Sequence, residues 1–132
     1  WAPEKEGLGI VTWKFDFQKN LRTVCLKMGY KLFNLGTSRG SLSVWGSADA
    51  VTWTQLGDYP TPSATSKGSV YYSILPSVLL GGKTIYIQAR MKAENPSSSN
   101  SSPVWLCWDT EVYPGGSSGT SHVFFLKAEY VD

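Results

Sequence analysis

The chain has 132 residues, enough for one domain that buries a core without metal or disulfide staples. Hydrophobic residues make up 42%, which excludes a disordered polymer, and a net charge of +2 with no Lys/Arg run argues against a protein that tracks nucleic-acid phosphates. Aromatics reach 14%, with 6 Trp and 7 Tyr, more rings than a core of Val, Leu and Ile requires, which leaves some for a contact surface.

The chain opens at Trp1 without an initiator methionine and shows no signal peptide or membrane-spanning run, so it is read as a mature chain or as a piece of something larger. Low charge with abundant Ser, Thr, Gly and aromatics suits an extracellular module. A secreted or cell-surface location without membrane insertion is therefore expected.

Period-two patterns follow one another along the chain. In "IVTWKFDF" (Ile10 to Phe17), Val11, Trp13, Phe15 and Phe17 alternate with Thr12, Lys14 and Asp16. "TVCLKM" puts Val24, Leu26 and Met28 on the apolar side and turns Cys25 away. "SLSVWG" sets Leu42 and Val44 against Ser43 and Trp45. "LPSVLLGGK" holds one helical turn that Gly81-Gly82 stops. "TIYIQARMKA" sets Ile85, Ile87, Ala89 and Met91 against Tyr86, Gln88, Arg90 and Lys92. "VWLCWD" points Val104, Leu106 and Trp108 inward and Trp105 and Cys107 outward, and "VFFLKAEYV" pairs Phe124, Leu126, Ala128 and Tyr130 on one side. Gly-, Pro- and Ser-rich connections separate these runs. Many short strands joined this way predict an all-β fold, a β-sandwich or jelly roll of short antiparallel strands, as a single domain over residues 1–132. The Ser-rich stretches Asn95–Pro103 and Tyr113–Ser121 are loops inside that domain. The two outward cysteines bridge only if their strands are neighbours in register, so Cys25 and Cys107 are expected not to pair.

"SLSVWGSADAVTWTQLG" resembles the strand–turn–strand of the galactose-binding-like β-sandwiches, the discoidin-like and carbohydrate-binding-module group. Their pattern runs S-x-D-G-x-x-W-x-x-L, and Ser47, Asp49, Trp53 and Leu56 stand at its positions, give or take one residue of spacing. Asp49 is suited to accept backbone N–H groups in the turn, and Trp53 to cap one end of the core. Ala50 stands where the pattern has Gly, so a positive φ there costs about 1 kcal/mol. "KTIYIQARMKA" and the terminal "VFFLKAEYVD" are similar to the later strands of such modules. Together these stretches cover about half of the chain.

The outward residues are the candidate site. Trp45, Tyr86, Gln88, Arg90 and Trp105 present two indoles, a phenol, an amide and a cation if their strands share one sheet. Flat rings stack on the C–H face of a sugar, and Arg and Gln hydrogen-bond hydroxyls or an acidic substituent. The plainer alternative for each ring is packing in a second layer. Trp108 and Tyr113 form a loop-end candidate beside Asp109 and Glu111, with Asn95 and Asn100 nearby and Trp1 and Tyr59 able to line either site. The resemblance implies a structural calcium between the two chain ends, for which Glu4, Glu6 and Asp132 are the weak candidates; no other cofactor is required.

Nothing points to catalysis. His122 is the single histidine, and there is no nucleophile elbow, metal-ligand spacing or phosphate loop. Asp109 and Glu111 share one strand face, too close for a glycosidase pair. The expected function is a non-catalytic carbohydrate-binding module, monomeric within a multidomain chain, that targets a glycoside hydrolase or lyase to a polysaccharide or oligosaccharide, with Arg90 and Lys92 leaning towards an acidic or sulfated one. The alternative is a discoidin-like adhesion or protein-interaction domain, and the third reading is a small jelly-roll polysaccharide lyase using Tyr86 and Arg90.

Overall fold

The computed structural model describes residues 7–32, 34–35, 37–61, 63, 66–72, 75–94, 104–107 and 125–132. The fold is all-β. Strands β1 (Gly7–Asp16), β2 (Leu21–Leu32), β3 (Asn34–Leu35), β4 (Ser38–Ser47), β5 (Thr54–Tyr59), β6 (Ser66–Tyr72), β7 (Thr84–Glu94), β8 (Val104–Cys107) and β9 (Phe125–Tyr130) form two antiparallel sheets. The first runs β1-β7-β4, with β3 and β5 sharing the far edge of β4; the second runs β6-β2, with β8 and β9 sharing the far edge of β2. The helical turn expected in "LPSVLLGGK" is a 3-10 turn at Ser77–Leu79, after which Leu80 is extended and Gly81 takes φ +95°, a region open to glycine.

Alternation does the sorting. Along β7, Ile85, Ile87, Ala89, Met91 and Ala93 are buried while every residue between them is half-buried or exposed. Leu42 and Val44 on β4, Val24, Leu26, Met28 and Leu32 on β2, and Val104 on β8 join them in one buried cluster, so the two sheets share a core. Two ring pairs cross between the sheets: Tyr30 on β2 meets Tyr59 on β5 at 5.2 Å between centroids, and Phe17 meets Tyr130 edge-on at 6.1 Å. Burial, and then the neighbouring Tyr59, raise the Tyr30 phenol above its ordinary pKa. Tyr59 therefore packs on the core. The segment after the 3-10 turn links the two sheets at one end through backbone bonds from Leu21 N to Gly82 O and from Gly81 N to Leu21 O, while Phe17 N to Lys83 O extends the β1–β7 ladder.

Strict alternation breaks at two bulges. Between Leu21 and Thr23 the pairing of β2 with β9 shifts, so Leu21 and Val24 are both buried although three residues apart. Between Val44 and Trp45 the pairing of β4 with β5 shifts as well, at Leu56, which packs against the core.

The register keeps the cysteines apart. Cys107 lies opposite Gly29, which is four residues, about 13 Å, from Cys25 along β2, whereas a disulfide needs Cα atoms within about 7 Å.

The turn singled out in the sequence is built as its residues require. Asp49 Oδ1 accepts hydrogen bonds from Val51 N and Thr52 N, both at 2.8 Å, and from Ser47 Oγ at 2.9 Å. The buried Ser47 hydroxyl in turn accepts from Asp49 N and Ala50 N. These donors hold the Asp49 carboxyl below the usual carboxylate range, the Thr52 N–H contributing most. Ala50 adopts φ +62°, where the resembled pattern has glycine. Ala50→Gly is expected to stabilise the fold by roughly 0.5–1 kcal/mol after the added unfolded-state entropy is subtracted. Urea unfolding reads it, and a lowered midpoint would show that the turn tolerates alanine without strain. Trp53 does not cap the core as expected: it is half-buried and stands outside the buried cluster, and Leu79 with Leu56 fills the space beneath Gly46.

Candidate functional site

The outer face of the first sheet follows from register. Trp45 on β4 pairs with Gln88 on β7, which pairs with Thr12 on β1; the next row joins Ser43, Arg90 and Ile10, and the previous one Ser47, Tyr86 and Lys14. Since Ile85, Ile87, Ala89 and Met91 are buried, Tyr86, Gln88 and Arg90 share the opposite face with Trp45. Four of the sequence-selected residues, Trp45, Tyr86, Gln88 and Arg90, are thus brought together.

Three of them are coupled side chain to side chain. Thr12 Oγ1 accepts from Gln88 Nε2 at 3.0 Å, which turns the amide oxygen towards β7's next outward residue. That oxygen accepts from Arg90 Nε at 2.7 Å. The guanidinium then lies over the Trp45 ring, its carbon 4.1 Å from the ring centroid. Trp45 Nε1 donates to Ser43 Oγ at 2.9 Å, fixing the indole in turn. Thr12 is a member that sequence reading missed. Its outward parity was visible, but the strand opposite it was not.

Charges on this face come in short-range pairs. Lys14 Nζ meets Asp16 at 2.9 Å, and Thr84 Oγ1 donates to Asp16 at 2.7 Å. Thr84's hydrogen bond, then Lys14's, lowers the Asp16 pKa, and the bond to Asp16 raises that of Lys14. Lys92 and Glu94 form a second pair, raising the lysine and lowering the carboxyl. Arg90 stands between these pairs with the neutral Gln88 amide as its partner.

The remaining expectations fall elsewhere. Trp105 does not share this sheet: β8 pairs with β2, Lys31 facing Trp105, so that residue belongs to the second sheet. The condition that all these strands share one sheet fails because β8 takes β2 as its partner in the second sheet. Trp45 also differs from a bare stacking platform, since Arg90 covers one of its faces. Trp108 and Tyr113, with Asp109, Glu111, Asn95, Asn100, Trp1 and His122, lie outside the described residues, as do Glu4 and Glu6. Asp132 is exposed at the chain end, and among the described residues no group of three or more His, Cys, Asp or Glu could hold a metal ion.

Comparison with known proteins finds no matching family model, no matching curated protein and no matching solved structure.

Proposed function

We propose that the chain is a non-catalytic carbohydrate-binding module of the galactose-binding-like β-sandwich type, appended to a secreted or cell-surface polysaccharide-degrading enzyme, and that the outer face of the first sheet is its glycan platform. The observation that carries this reading is the gathering of Trp45, Tyr86, Gln88 and Arg90 on one outward face, with Gln88 held by Thr12. The face offers a phenol, an amide, a guanidinium and the hydroxyls of Ser41 and Ser43, the groups that grip a sugar's C–H face and its hydroxyls. Tethering then raises the parent enzyme's local concentration at its polymer.

One observation favours the adhesion reading as an alternative. Leu8 and Ile10 are 60% and 52% exposed on the outward face of β1, opposite Lys92 and Arg90, and give the same surface an apolar margin suited to a protein partner. The lyase reading has no such support.

Affinity electrophoresis across neutral, uronic and sulfated polysaccharides tests the module. Retardation is expected in at least one gel, and Tyr86→Ala is expected to weaken it roughly two- to tenfold, the worth of one aromatic contact. Free migration in every gel would transfer the assignment to the adhesion domain.

A further inference from the structure

We infer that the Arg90 guanidinium is an oxyanion site, so that the glycan this face takes carries a carboxylate or sulfate group; this rests on the glycan-binding reading above. Along β1 and β7 three cations each bond a residue two places away on the same face. Lys14 bonds Asp16 and Lys92 bonds Glu94, so both lysines are neutralised in place. Arg90 bonds the uncharged Gln88 instead. Among the described residues no carboxylate lies within ion-pair distance of Arg90; Asp58, on the same row of the sheet, is two strands away beyond Ser43.

The group is also held in place. Nε is taken by Gln88 Oε1, the amide is locked by Thr12, and the guanidinium rests on Trp45. That uses one of the five N–H donors and one face of the plane. The two terminal nitrogens have no hydrogen-bond partner among the described residues, and they form the fork that accepts two oxygens of a planar or tetrahedral anion side by side. An arginine fixed in this way loses less side-chain freedom on binding than an unsupported one. The indole serves here as the arginine's support, and Tyr86 remains the open aromatic for a sugar ring.

The test is affinity electrophoresis of the whole chain on polygalacturonate against its methyl ester, and on dextran sulfate against dextran. Stronger retardation by one or both charged polymers than by the neutral counterpart is expected. Arg90→Lys keeps the charge and removes the fork, and is expected to weaken that retardation about tenfold, while Lys19→Gln, which removes an exposed charge in the turn after β1, leaves it nearly unchanged. The polymer that responds tells carboxylate from sulfate. Equal retardation by the neutral polymers, with Arg90→Lys silent, would overturn the oxyanion site and leave the glycan module standing. Retention by charged polymers that Lys19→Gln weakens as much as Arg90→Lys would reduce it to unspecific attraction. No retardation on any gel would remove the glycan reading and the site with it.

Discussion

Ile87→Ala is expected to cost about 2–5 kcal/mol of folding stability, a large share of the roughly 5–15 kcal/mol a domain of this kind has. Ile87 is fully buried at the middle of β7, with Trp13 opposite on β1 and Gly46 opposite on β4. Glycine has no side chain to move into the gap, and the strand is hydrogen-bonded on both edges. The cavity therefore stays open, which puts this site towards the costly end of large-to-small changes. The neighbours Tyr86 and Gln88 point to the other face. Glycan retention per folded molecule should survive the substitution, while the urea midpoint drops. A loss below about 1 kcal/mol would mean that this part of the core collapses freely or was never tightly packed.

Gly46→Val is expected to destabilise by about 1–3 kcal/mol for the opposite reason, overpacking. A Cβ on Gly46 would sit 2.5 Å from Leu79 Cδ1 and 3.4 Å from Leu56 Cδ1. Leu79 is itself 2% exposed, so its methyl has little space to retreat into. The backbone at Gly46 is not in the left-handed region, so the cost is steric and not conformational. Pairing the change with Leu79→Ala separates these causes. If the clash is the cause, the double variant is less destabilised than the sum of the two single ones, measured by urea unfolding of all four proteins. Simple additivity would show that Leu79 does not press on this position.

The inward and outward halves of β1, β4 and β7 were legible because a half-buried strand writes its orientation into the sequence with period two. Trp45, Tyr86, Gln88 and Arg90 could be assigned to outward positions on that ground alone. The turn at Ser47–Thr52 was legible for a local reason too: Ser and Asp next to backbone N–H groups satisfy them within a few residues. Leu21 and Leu56 were less so. Each lies at a bulge, and a bulge depends on how two strands with different residue counts are matched, which neither strand encodes separately.

The sequence by itself determined that the chain is all-β, which side of β1, β4 and β7 is apolar, where the turn at Ser47–Thr52 falls, and that Arg90, Trp45 and Tyr86 are left facing outward. These are properties of neighbouring residues, and side-chain alternation reports them directly. Only the tertiary structure decided which strands lie beside one another. It separated Trp105 from Trp45, set Thr12 beside Gln88, and laid Arg90 across the Trp45 ring. Strand order is settled by the joint packing of residues far apart in the chain: β1 meets β7 across some seventy positions of sequence, about the separation of Thr12 and Gln88 at 76. Neither strand's pattern carries the name of its partner, so a site assembled across strands becomes visible only once the sheet has formed.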